Sequence, residues 1–519
     1  MTIFRKHINR LFKKITNFIF ELITRNNDNW FFSHFKSLIS TKELNISLVT
    51  LSFFILSTVI PNNKLFFILC SLFIVIILLI TKSFLTTIFL SYIPLSIFFI
   101  GQEYTFLAVS KEIIISNQYE KGRILGFIFS PHTVLLISII SSSIFLFFSE
   151  KFRKMNYTFL FLILLSLSIV ISASKSYFFP TFSVVYALHS IGFVCFIIIS
   201  SIRNNLLSKI DKLKLWRSLF FQISVSLIFI SLISILQLIK TSHLGLNIES
   251  IESSPVYGVG ADESRLIFRP TGLTPHANIM SNQVFILILT LLVVFMKINS
   301  KNKSKYLSYF FVGINLISIL TIIISQSRSI YLGLLFVFLS ILIFNYSFFK
   351  RVFSIVIDFF KHKPKFWMIL LIFVIFIVGN RARYSVYSFA ETGGFQVRRE
   401  LVSETLSLIR KNPLFGVGKG MFIPALSAEN PTGVISRFPE SVHNGFLLFI
   451  AESGLVSQFI LIIVVYFGFR RLYFSKYKNS LKVIIIISFI AQLVPMFFQP
   501  FINYLSVYTI FTLIAIFEE

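Results

Sequence analysis

The chain has 519 residues, of which 55% are hydrophobic and only 13% charged, and its mean hydropathy is +0.84. A single soluble core stops growing near about 250–300 residues, so this composition excludes an ordinary soluble protein and makes lipid the solvent for most side chains. The basic excess, 48 Lys and Arg against 21 Asp and Glu, reads as the loading of cytoplasmic loops in a membrane protein rather than a nucleic-acid groove.

Residues 1–45 form the first region. Phe4, Ile8, Leu11, Phe12, Ile15, Phe18 and Ile19 recur at helical spacing, with Arg5, Lys6, Arg10, Lys13 and Lys14 between them. This predicts a basic amphipathic helix on the cytoplasmic membrane surface, and the interrupting charges argue against a cleavable signal peptide. The second region, 46–519, is read as one transmembrane domain. Its apolar runs lie at roughly 46–60, 65–81, 83–100, 133–149, 157–173, 181–201 and 218–239, then 278–296, 306–325, 329–349, 366–379, 444–468, 483–500 and 503–517. The expectation is therefore an all-α, polytopic membrane protein with about fourteen transmembrane helices.

Alternating the connections between two sides puts 31 of the 48 Lys and Arg residues on the side of the N-terminus. The positive-inside rule then makes both termini cytoplasmic. The long connections fall on the other side, at 101–132, 240–277 and 380–443. The last is too long to be a plain turn. Within it Leu401, Thr405, Leu408 and Ile409 predict one face of a helix that Asn412-Pro413 ends. Cys70 and Cys195 sit inside apolar runs and read as small buried hydrophobes.

The chemistry concentrates on the outer side. Arg381, Arg383, Arg398, Arg399, Arg410, Lys411, Lys419 and Arg437 make the 380–443 loop basic, which suits an anionic ligand at headgroup level. Arg265 and Arg269 precede a Pro- and Gly-rich turn ending at His276-Ala-Asn278, and Arg328 sits at an outer span boundary. His443 and Asn444 open another span, with Glu452 about two turns inside it. An imidazole there suits a general base, because its ordinary pKa lies near neutrality; the bland alternative is a helix-capping histidine. An acid inside a membrane helix is a functional candidate by default, the alternative being an ion pair.

Five segments in order carry a resemblance: Arg269-Pro-Thr-Gly-Leu-Thr-Pro-His-Ala-Asn278, Ser325-Gln-Ser-Arg-Ser329, Arg398-Arg-Glu-Leu401, Asn412-Pro-Leu-Phe-Gly-Val-Gly-Lys-Gly420 and His443 through Leu455. Over roughly 265–460 the chain resembles the O-antigen polymerase and O-antigen ligase superfamily of polytopic membrane transferases. The family's pattern often has an asparagine-rich turn residue where this chain has His276.

The resemblance implies a C-type glycosyltransferase-like (GT-C) fold with its cavity at the outer leaflet, roofed by the long extracytoplasmic loop. It implies that Arg269, Arg328 and Arg398 clamp the diphosphate of an undecaprenyl-diphosphate-linked glycan, with Arg399 the register alternative to Arg398. His443 would activate the acceptor hydroxyl, and Asn278, Asn444 and Glu452 complete the expected substrate-binding set. The bacterial cytoplasmic membrane is the implied location, with the active site facing outward. No outer-loop Asp-x-Asp motif occurs, so no metal and no cofactor is expected.

The leading expectation is a polymerase of lipid-linked repeat units in polysaccharide or lipopolysaccharide biosynthesis. A ligase passing the glycan to a lipid A core or to protein is the alternative, and a flippase the rival of another class. Expected partners are a lipid-linked oligosaccharide donor, a glycan acceptor and membrane lipid, with a chain-length regulator or flippase as candidates and no nucleic acid.

Overall fold

The computed structural model describes residues 41–60, 63–98, 102–104, 127–129, 157–176, 183, 187, 209–249, 268–274, 276–299, 305–362, 393–437, 441–475 and 477–498. The expected N-terminal amphipathic helix and the apolar runs at 133–149, 366–379 and 503–517 lie outside the described residues, as does almost all of 181–201.

Helices dominate. In chain order they are α1 (Thr41–Val59), α2 (Asn63–Thr81), α3 (Phe84–Ser96), α4 (Tyr157–Ser174), α5 (Lys209–Lys240), α6 (Ala277–Asn299) and α7 (Lys305–Ser325). Then follow α8 (Arg328–Phe344), α9 (Tyr346–His362), α10 (Gly393–Lys411), α11 (Phe422–Glu429), α12 (Val434–Arg437), α13 (Gly445–Phe474) and α14 (Asn479–Met496). The exception is a short antiparallel ladder of β1 (Gln102–Tyr104) and β2 (Phe127–Phe129), in the register Gln102 opposite Phe129.

Among the described residues, five helices are long and apolar enough to cross a membrane, or six if the bent pair α8–α9 is one span. Three shorter apolar helices lie at Glu43–Val59, Leu65–Thr81 and Leu160–Ser174. Large apolar side chains face outward along several of them: Ile55 on α1, Leu167 on α4, Leu335 on α8, Phe459 and Ile462 on α13. Such stripes would be unfavourable in water and cost nothing in hydrocarbon, so the chain is a multi-pass membrane protein.

The centre of the larger packed unit is α6, buried along nearly its whole length between α5, α7, α14 and α8. A cluster of rings, Phe53, Phe54, Phe66, Phe98 and Phe229, fastens α1, α2 and α3 to α5; Phe54 and Phe229 stack at 4.5 Å. Between helices in lipid the gain comes from close packing of rings, because the bilayer is as apolar as the side chains it loses.

Where an uninterrupted span was expected at 329–349, the chain breaks at Asn345 and turns by 114° into α9. The reason is visible in the pattern. Phe348, Val352, Ile355 and Val356 pack inward, Tyr346, Phe353 and Ile357 lie exposed beside them, and Lys350, Arg351, Asp358 and Lys361 occupy the opposite arc. A helix with one continuous polar arc has the pattern of one lying along a membrane surface, so it leaves the direction of α8. Asn345 supports the corner by donating from Nδ2 to the Ser480 carbonyl in the first turn of α14 (3.2 Å).

The described part of the long 380–443 loop, residues 393–437, is largely helical. Leu401, Thr405 and Leu408 are buried and Ile409 packs beside them, as the spacing predicts. With Met421, Phe422, Leu426, Val434 and Ile435 they form a second, smaller core over the N-terminal end of α13. The helix α10 ends at Lys411, where Pro413 forbids its continuation.

Candidate functional site at the helix ends

Four segments converge here: the 269–278 turn before α6, the 325–328 turn between α7 and α8, helix α10, and the 443–444 entry to α13.

The first turn is held from below by Gln237 of α5. Its Oε1 accepts from the Thr271 and Gly272 amides (3.1 and 2.9 Å), and its Nε2 donates to the Gly272 carbonyl (2.9 Å) and to Glu249 (2.6 Å). Glu249 in turn accepts from the backbone amides of Leu244, Gly245 and Leu246. Both side chains are buried, so the turn rests on a satisfied polar network rather than on loose loop contacts. Sequence reading passed over Gln237, whose only signal is a long amide inside an apolar run.

Arg269 lies on this frame. It donates from Nε to the Ser325 carbonyl (2.9 Å) and from Nη2 to the Gln326 carbonyl (3.4 Å) and to Asn278 Oδ1 (2.8 Å). It therefore neutralises the carbonyl end of α7, where a cation opposes the helix dipole, and it locks the first turn to the second. Asn278 receives Arg269 on its side chain and donates its backbone amide to His276 Nδ1 (3.1 Å). Burial, then the charges of Arg269 and His443, push His276 down to about 4, so it is neutral near pH 7.

Arg328 is the first residue of α8 and is exposed. Arg398 and Arg399 both lie exposed on α10, and it is the charge of Arg398 that bears on Arg328. Two like charges brought together on rigid elements repel one another and favour an anion between them.

His443 is half-buried, and its charge acts on His276. The capping function falls to its neighbour. Asn444 Oδ1 accepts from the Phe446 and Leu447 amides (3.1 and 3.0 Å), which starts α13 and fixes the position of His443 just outside it.

Glu452 does not extend towards these arginines. Its carboxylate accepts from Lys419 Nζ at 2.6 Å, with both side chains buried or nearly so. The pair fastens the long loop to a break in α13. At Gly454 the backbone adopts φ 78° and ψ 171°, and the groups that the break leaves unpaired find partners in the 413–418 segment. Leu455 N–H donates to the Pro413 carbonyl (2.8 Å) and Val456 N–H to Leu414 (3.2 Å), while Val417 and Gly418 donate to Ala451 and Glu452 (2.9 Å each). Ser172 and Ser176 at the end of α4 add hydroxyl donors to the Glu452 and Val417 carbonyls (2.8 Å each). Irregular backbone within a membrane helix is tolerated where protein satisfies it in this way.

Residues 313–462, from within α7 to within α13, match the family described as O-Antigen ligase. Neither the curated proteins nor the solved structures include a match to the chain. The matched segment contains Arg328, Arg398, Arg399, Lys419, His443, Asn444 and Glu452, whereas Arg269, His276 and Asn278 reach the same site from outside it. The match covers 150 of the 519 residues, and over that segment it supports the likeness to the O-antigen polymerase and ligase superfamily that the order of the motifs suggests.

Proposed function

We propose that the chain transfers a glycan from a polyprenyl diphosphate to an acceptor hydroxyl at the outer face of the membrane, and that it acts as a polymerase of repeat units. The observation carrying this reading is the pairing of Arg328 with Arg398 beside the turn held by Arg269, with His443 at the next helix entry. In the reaction, the acceptor oxygen forms a bond to the anomeric carbon as the bond from that carbon to the diphosphate oxygen breaks. The electron pair leaves with the diphosphate and the hydroxyl proton passes to His443. Negative charge grows on the departing group, so fixed guanidiniums at Arg328 and Arg398 stabilise the transition state more than the ground state. Arg269 contributes its charge and keeps the two turns together, and Asn444 and Glu452 support the site through the cap and the loop ion pair.

A ligase is the second reading, favoured by the description of the matched family, O-Antigen ligase. The two differ in acceptor. Surface glycan from a null strain, complemented with the wild-type chain or with His443→Ala, separates them. Single repeats on the final acceptor in the null identify a polymerase, and polymer stranded on the lipid carrier identifies a ligase. In either case His443→Ala is expected to leave the null pattern uncorrected, with at least about a hundredfold less product. Glycan unchanged in the null would remove the transferase reading.

The arginines supply the charge that a metal would otherwise provide, so the transfer is proposed to be metal-independent. Membranes stripped with a chelator are expected to retain their transfer rate; a loss reversed by adding Mg²⁺ would refute this.

A further inference from the structure

His276 has a place in the site that the transfer scheme above does not use. It precedes α6, where its Nδ1 accepts the Asn278 amide at 3.1 Å and so caps the helix. That bond also fixes the tautomer. With the lone pair of Nδ1 occupied, the neutral ring carries its proton on Nε2. Its main chain is equally fixed, since Thr274 Oγ1 donates to the His276 carbonyl (2.8 Å) and the Thr271–Gly272 amides rest on Gln237. Asn278 joins His276 to Arg269 through its two ends, and His443 acts on the ring from the entry of α13.

The geometry assigns to His276 the role of an uncharged hydrogen-bond donor, whose Nε2–H holds an oxygen of the acceptor glycan beside the hydroxyl that His443 deprotonates. This rests on the glycan-transfer reading. Cations suit the diphosphate, but the acceptor is met at hydroxyl and ring oxygens, where a neutral donor gives direction without adding charge to a crowded cationic site. A fixed neutral donor also costs no reorganisation when the acceptor arrives. Burial, with the charge of Arg269, keeps the ring in that form.

The competing explanation is that His276 only caps α6. Two substitutions distinguish them, measured as initial transfer rates in membrane vesicles from the null strain, using the lipid-linked glycan those membranes already contain. His276→Ser keeps a capping oxygen for the Asn278 amide but has no donor at the distance of Nε2. His276→Gln places an amide N–H at about that distance and weakens the cap. Capping alone ranks Ser at or above Gln. The donor role predicts at least a tenfold loss for Ser at unchanged membrane abundance, partial recovery for Gln, and an acid limb of the rate–pH profile that is the same in Gln as in wild type. A Ser variant at the wild-type rate, or a Gln variant no better than Ser, would overturn the assignment. Vesicles whose wild-type chain transfers no glycan would overturn the transferase reading and this inference together.

Discussion

Arg328→Ala is expected to reduce transfer about a hundredfold or more while leaving the protein at least as heat-resistant as wild type. The first part follows from the charge that develops on a departing diphosphate: loss of one fixed donor to such a group typically costs about 10²–10³ in rate. The second follows from Arg328 being exposed, at the start of α8, with Arg398 as a like-charged neighbour. An exposed guanidinium beside a like charge adds little to the packed core, so its removal leaves the fold intact. Arg328→Lys keeps the charge but not the planar fork, and should fall between the two. Thermal unfolding of the purified chain alongside glycan transfer tests both halves. Near-normal transfer by the alanine variant would take Arg328 out of the site, and a marked fall in melting temperature would show that the residue serves the fold.

The largest structural effect is expected from Gly454→Ala. A Cβ at this position would lie 2.1 Å from the Leu414 carbonyl oxygen, and the backbone stands at φ 78° and ψ 171°, a region essentially reserved for glycine. Neither side can yield cheaply, because Leu414 belongs to the segment whose carbonyls receive the Leu455 and Val456 amides. Gly416 faces the same crowding from the other strand of the contact, with its Cβ position 2.5 Å from the Ala451 carbonyl oxygen. Substitution therefore costs about 2–4 kcal/mol and detaches the 413–418 segment from α13. The expected readouts are reduced membrane abundance, faster proteolysis between residues 412 and 420, and loss of transfer. Leu455→Ala, at an exposed position next in the chain, serves as the control and should be close to neutral. Wild-type melting behaviour and activity in Gly454→Ala would mean that the break has no structural role.

The two cases mark where sequence patterns are informative. Leu401, Thr405 and Leu408 recur with helical period and are buried as one face, and Asn412-Pro413 ends the helix because proline forbids the next turn. Most of the apolar runs that fall on described residues are helical, since hydrocarbon leaves a spanning chain almost no other way to satisfy its backbone. The break at Gly454 is different. A single glycine within an apolar run carries no periodic signal, and its conformation depends on a loop forty residues earlier in the chain reaching back to satisfy the freed amides. Likewise α9 was expected as a simple connection. Its polar arc is present in the sequence, but only its bend away from α8 shows that this arc, rather than α8's apolar run, sets its direction.

The site divides in the same manner. Residue type and chain order by themselves marked Arg269, Arg328, Arg398 and His443, because guanidinium and imidazole are the groups that diphosphate and hydroxyl chemistry needs. Tertiary structure decided the distribution of roles among them. It committed Arg269 to two backbone carbonyls and Asn278, gave Asn444 the helix cap, and directed Glu452 to Lys419. It also added His276, a neutral ring among cations, and the buried Gln237 that supports its turn. Local pattern determines which segments enter the membrane, since burial of apolar surface and backbone satisfaction act within each segment. Which polar atoms meet at the helix ends depends on how separate segments pack, and that is fixed only when all of them are in place.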